Sequence, residues 1–179
     1  RFTNTYSADP VTLIGSTNLT ITKNLVGRNW LASDSFGFTL APTGVETQEA
    51  VNASDIVMPA AGITITAQAG HSGTADGHFG DIVFKKAGIY RFIITENTGS
   101  IDRMSYSTHR YYVVVTVTDN NEGALVATPS YYGTSTFENT YSPDSVRAVF
   151  RGLKTLRGKL DLAADDFTFV ISALTNGAP

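Results

Sequence analysis

The chain has 179 residues, 42% hydrophobic and 16% charged, with a formal net charge of −3, three histidines and no cysteine. That length suffices for one domain with a real core, and the charge balance argues against a nucleic-acid footprint or a basic membrane patch. The missing cysteines exclude disulfides, thiolate nucleophiles and Cys-ligated zinc.

In chain order, Leu19 to Leu25 alternates between Gly15-Ser16 and Gly27 and predicts the first strand of the main domain. Phe36 to Leu40 follows the turn-forming Ser33-Asp34-Ser35, and Gly44 to Ser54 suits a short helix in a crossover. Gly62 to Gln68 alternates around Ile63 and Ile65, whereas Gly70 to Gly80, rich in Gly, His and Asp, predicts a loop. Ile82 to Phe84 leads through Lys85-Lys86-Ala87-Gly88 into a strand over Tyr90 to Thr95. Tyr111 to Thr118 is the most β-prone run, and Asp119 to Gly123 turns it into Leu125 to Tyr132; Thr136 to Tyr141 closes the unit. Strands at this spacing, with turn signals between them, predict an all-β sandwich. No apolar run approaches the ~18 residues of a membrane helix. The opening residues carry no leader pattern, which puts any export signal outside this stretch.

The sequence also repeats itself. Phe2-Thr3-Asn4-Thr5-Tyr6-Ser7 returns as Phe137-Glu138-Asn139-Thr140-Tyr141-Ser142, and Lys23 to Leu40 returns as Lys154 to Ile171. The closing motif comes first and the opening motif last. This order predicts a window cut from a tandem array: residues 1–8 as the last strand of one repeat, 11–142 as a complete domain, and 143–179 as the first strands of a third. Strands over 150–156 and 166–172 would then have unpaired edges, able to pair with Phe2 to Tyr6 of another copy.

Alternation places three polar residues in apolar phase. Lys23 shares the phase of Leu19, Ile21 and Leu25; Glu96 continues that of Tyr90, Phe92 and Ile94; Asn139 sits between Phe137 and Tyr141. Each has an ordinary explanation alone: a strand-end lysine snorkels, Glu96 lies just past its strand, Asn139 lies on an edge. Alternation alone does not say that the three meet; a buried site that held all three would be a reactive set. Burial favours the neutral amine and the neutral carboxyl group. A neutral amine can attack a carboxamide while the acid polarises it and passes protons to departing ammonia. Asn4 and Lys154 are the counterparts of Asn139 and Lys23 in the partial repeats, each without its partners in this sequence.

These residues lie in segments that resemble the isopeptide-forming, CnaB-like pilin domains of Gram-positive surface proteins. The matching segments are Leu19 to Leu25, Phe36-Gly37-Phe38, Phe84 to Glu96, Tyr106 to Val117 and Phe137 to Tyr141, in family order. The resemblance implies an Ig-like sandwich in which Lys23 and Asn139 form a spontaneous amide, with Glu96 as the catalytic acid. It implies a structural shaft or stalk module outside the cell, attached to the wall through parts beyond this stretch, whose partners are neighbouring repeats. On this reading the chain is no enzyme beyond one self-directed turnover, and it uses no cofactor. The competing expectation is an adhesin domain that grips a host protein or glycan through the 44–80 region.

Other candidates are weaker. His71, Asp76, His78 and Asp81 cluster in a turn-like segment, but their spacing fits no standard metal site. No Gly-x-Ser-x-Gly elbow and no phosphate-cradling glycine motif occurs. Trp30 is expected in the core, not as a sugar platform.

Overall fold

The computed structural model describes residues 2–3, 6–155, 157–158 and 167–172. The chain divides into two units, Arg1–Pro143 and Asp144–Pro179.

The first unit is a β-sandwich, with twelve strands among its described residues. β1 (Val11–Leu13), β4 (Ile56–Val57) and β7 (Ile82–Phe84) make a small sheet in the order β1-β7-β4. A five-stranded sheet runs β11-β10-β8-β3-β5, where β3 is Phe36–Thr43, β5 Gly62–Ile65, β8 Gly88–Glu96, β10 Arg110–Asp119 and β11 Leu125–Tyr132. A four-stranded sheet runs β6-β2-β12-β9, where β2 is Thr20–Val26, β6 Gly73–His78, β9 Met104–Ser105 and β12 Thr136–Tyr141. Two helices interrupt the strands, α1 (Gly15–Asn18) and α2 (Val45–Asn52).

β-branched and aromatic residues fill the buried face of the central strands β8 and β10. β8 shows the pattern clearly: Tyr90, Phe92 and Ile94 are buried, and β10 answers with Tyr111, Val113, Val115 and Val117. Aromatic pairs join the layers. Phe38 of β3 meets Phe137 of β12 edge-to-face at 5.2 Å, and Phe84 stacks on Tyr90 at 5.3 Å. Trp30 is fully buried, 5.2 Å from Phe36, with its indole N–H donating to the Gly73 carbonyl, so it belongs to the core as expected.

One pairing organises the site. β2 and β12 are the only parallel pair among the described strands, with Lys23 opposite Phe137 and Asn139 opposite Leu25. Parallel neighbours need a long crossover, and here nearly the whole domain supplies it. Gly27 ends β2 with φ +92°, and a side chain there would strike the Tyr141 carbonyl. The glycine thus lets the two strand ends close on each other.

The eight strands expected from the sequence all form, and α2 forms in the crossover. The Gly70 to Gly80 segment departs from expectation. Gly73–His78 is not loop but β6, antiparallel to β2 from Thr20↔His78 to Leu25↔Gly73. Its composition carries no strand signal; the free edge of β2 dictates the conformation. Gly77 is needed there because a Cβ would stand 2.8 Å from Ile65 Cγ1, where β6 and β5 approach each other.

In the second unit, the described residues 144–155 and 167–172 have no regular strand. Within the strands expected over 150–156 and 166–172, residues 150–155 and 167–172 are not in a strand, and Phe2, Thr3 and Tyr6 are not either; residues 4, 5, 156 and 166 lie outside the described residues. Two strands without the rest of their sheet have too little surface to bury. The Lys23–Gly27 echo does keep one local feature. Gly158 has φ +84°, matching the positive φ of its counterpart Gly27.

Candidate functional site

Three strands from two facing sheets converge on one buried point. β2 brings Lys23, β8 ends on Glu96 and β12 brings Asn139. All three side chains point into the core: Lys23 and Asn139 are 0% exposed and the Glu96 residue 8%. β8 reaches the site because Phe38 of β3 pairs with Glu96 while Phe38 itself packs on Phe137.

The hydrogen bonds are directional and complete. Lys23 Nζ donates to Glu96 Oε2 at 2.9 Å and to the Phe137 carbonyl at 3.1 Å. Asn139 Nδ2 donates to Glu96 Oε1 at 2.7 Å. The Ser107 amide donates to Asn139 Oδ1 at 2.8 Å. One carboxyl group therefore holds amine and carboxamide, one on each oxygen, while a backbone N–H polarises the carboxamide carbonyl. Phe36 lies under the amine, with Nζ 4.9 Å from its ring centre. Among the described residues, no buried side-chain nitrogen or oxygen lacks a partner.

Burial drives the Lys23 amine below the ordinary lysine range, and its bond to Glu96 opposes that shift without cancelling it. A lysine that gives up its proton easily is a nucleophile in waiting.

The structure brings Lys23, Glu96 and Asn139 together; their strand phases place each in the core but do not by themselves join them. It adds Ser107, which sequence reasoning misses because its contribution is a backbone amide at the exit of β9. β9 pairs with β12 only through Thr140↔Ser105 and Tyr141↔Met104; two residues past it the Ser107 amide turns to the Asn139 side chain. Asn4 lies outside the described residues. Lys154 is exposed, its Nζ 5.0 Å from the Phe167 ring centre.

The histidine-rich segment is occupied by local bonding. His71 Nε2 pairs with the Thr74 carbonyl, Asp76 accepts from Thr22, His78 Nδ1 pairs with the Phe79 carbonyl, and Asp81 accepts from the Gly15 amide. The 44–80 region forms α2, β4, β5 and β6 with their connections.

Residues 19–142 match the family described as FctA, the Spy0128-like isopeptide containing domain. The chain belongs to this family. The match runs from the residue before β2 to the residue after β12, so it encloses the whole site. Two crystal structures of the major pilin from Streptococcus pyogenes, one of a point mutant, share the fold of this family member. Their TM-scores are 0.53 and 0.52 at 23% identity, and each match covers 69% of this chain and 50% of the pilin chain. The likeness thus spans half the length of those pilins. No curated protein sequence matches the chain.

Proposed function

We propose that this domain is a structural module of a Gram-positive surface pilus or adhesin stalk, sealed by an amide that it forms between Lys23 and Asn139. The observation that carries this reading is the single buried carboxyl group of Glu96 gripping both Lys23 Nζ and Asn139 Nδ2.

The chemistry follows from those bonds. Glu96 takes a proton from the Lys23 ammonium, and the neutral Nζ attacks Asn139 Cγ. The Ser107 amide stabilises the oxyanion that develops on Oδ1. As the Cγ–Nδ2 bond breaks, Glu96 returns its proton to the departing nitrogen, which it already contacts through Oε1. The new Nζ–Cγ amide gives up its surplus proton with the leaving ammonia, so the products are the amide and one ammonium ion, and Glu96 ends as it began. Folding supplies the proximity that an external catalyst would otherwise provide.

The topology suits a load-bearing role. Tension between the ends of the domain shears β2 against its parallel neighbour β12, and an amide between them carries that load past the intervening sheets. The module works outside the cell, where a cross-link that no reductant cleaves is an advantage for a chain without cysteine. Its partners are the neighbouring repeats of the same polypeptide.

Intact-mass measurement of the folded chain is the test. The expected mass is one ammonia below that calculated from sequence, about 17 Da, with Lys23→Ala restoring the calculated value. An unshifted parent mass overturns the proposal. A loss of two ammonias would also contradict it, because the partial repeats lack complete sets.

A further inference from the structure

We propose that Tyr6 to Asp9 form a clasp that fastens each repeat to its predecessor, with the β10–β11 hairpin as the receiving surface. The clasp has two points. The Tyr6 hydroxyl donates to Asp119 Oδ1 at 2.9 Å and accepts from the Gly123 amide at 3.2 Å. Three residues on, the Asp9 amide donates to the Gly123 carbonyl at 2.7 Å and the Asp9 carbonyl accepts from the Leu125 amide at 3.0 Å, closing a parallel bridge to Ala124. A segment that precedes β1 is thus pinned to a turn 113 to 117 residues away.

The hairpin is ready to receive it. Asp119 Oδ1 also accepts from the Asn121 amide, and Asn120 Oδ1 accepts from the amides of Glu122 and Ala124, so the turn is organised by its own side chains. The bond to Asp119 raises the Tyr6 hydroxyl above its ordinary ionisation range although the side chain is largely exposed.

The sequence identifies what occupies this surface. Tyr6-Ser7-Ala8-Asp9 returns as Tyr141-Ser142-Pro143-Asp144, with the same tyrosine three residues before the same aspartate. Tyr141 ends β12, paired with Met104 and with the Arg28 guanidinium 5.0 Å from its ring centre. The tyrosine therefore has two tasks: its ring finishes one repeat, and its hydroxyl grips the hairpin of the next. Two residues then separate the grip from the Asp9 bridge, which makes the joint short and stiff. This inference rests on the tandem-repeat reading but not on the amide cross-link.

The test uses the full chain and a Tyr6→Phe variant, read by backbone relaxation at Ser7 and Ala8 and by amide exchange at Gly123 and Leu125. In the parent chain Ser7 and Ala8 are expected to relax like the core. Tyr6→Phe should speed exchange at the two hairpin amides roughly three- to tenfold, while Tyr132→Phe, which removes an exposed hydroxyl from β11, should not. Free-tail mobility at Ser7 and Ala8 in the parent, or unchanged exchange in Tyr6→Phe, overturns the clasp. Intact mass on the same samples reports the amide separately. The tandem reading stands or falls elsewhere: the sequence preceding Arg1 in the full-length protein must supply the lysine and glutamate that complete Asn4.

Discussion

Asn139 and Lys23 do not face each other across the parallel ladder: Asn139 is registered with Leu25, two residues along β2 from Lys23. Their side chains are brought together from outside the ladder, by the two oxygens of Glu96 on the opposing sheet. A pair offset in this way is held by a third group, and the chemistry proposed for it depends on that group more than on either partner.

Glu96→Gln is the sharpest variant of the site. It preserves size and hydrogen-bonding capacity but cannot shuttle the proton from Lys23 to the leaving nitrogen. The purified protein should show the uncorrected sequence mass and an otherwise native circular dichroism spectrum. A full ammonia loss in this variant would remove Glu96 from the mechanism.

Ser107 separates backbone from side-chain roles. Ser107→Ala keeps the amide that donates to Asn139 Oδ1 and should cross-link normally. Ser107→Pro removes that donor and should slow mass loss during refolding by about two orders of magnitude or more. Equal rates in the two variants would show that the amide only positions the carboxamide.

Stability should respond strongly to the cross-link. The proposed amide would close a loop from position 23 to position 139, and in the chain-entropy account a loop of that size contributes roughly 4–5 kcal/mol. Asn139→Ala also leaves Glu96 Oε1 and the Ser107 amide without a partner, adding about 1–3 kcal/mol of loss. Calorimetry should find Tm lower by roughly 15–30 °C. A drop of only a few degrees would mean that no covalent closure is lost.

The same Asn139→Ala protein keeps Lys23 and Glu96 side by side and exposes the cost of the buried amine to measurement. The folded chain releases the Lys23 proton below the ordinary lysine range, chiefly because of burial, whereas the unfolded chain holds it to about pH 10.4. Between those limits the unfolded state binds more protons, so stability rises with pH. The urea midpoint should climb as pH rises through the lowered amine value towards the unfolded one, and adding Lys23→Met should flatten the slope. A midpoint that falls over this range would contradict the lowered amine.

A second charged pair sits beside the start of β3. Arg28 donates to both oxygens of buried Asp34, at 2.6 and 2.8 Å, and the Leu31 amide donates to the same carboxylate. Asp34→Ala takes the carboxylate from the guanidinium, which keeps the Asn29 carbonyl, and the acceptor from the Leu31 amide, and should cost about 2–4 kcal/mol in urea unfolding. Arg28 holds the Asp34 carboxyl below its usual range. Its contribution is therefore present above about pH 4 and fades as pH falls through the lowered value.

Much of this was legible because strands alternate. Period two placed Lys23, Glu96 and Asn139 in apolar phase, and the β-branched and aromatic runs located β2, β3, β5, β7, β8, β10, β11 and β12. What alternation could not supply were partners. β6 is a strand only because the edge of β2 lies beside it; Gly73-Thr74-Ala75-Asp76-Gly77-His78 has neither the propensity nor the pattern. Ser107 contributes an N–H that every residue except proline possesses, so no side-chain signal marks it. The described residues 150–155 and 167–172 show the opposite limit: a pattern suited to β-structure is not in a strand where no neighbour pairs with it.

The position of Ser107 has a further consequence. The four groups at the site come from positions 23, 96, 107 and 139, so no fragment of the domain holds the complete set. A one-residue slip of β12 along β2 would turn Asn139 outward, and an unformed β9 exit would withdraw the amide donor. Under the proposed chemistry either error leaves the bond unmade, and the reaction becomes a quality check that locks only correctly assembled copies and leaves faulty ones open to proteolysis.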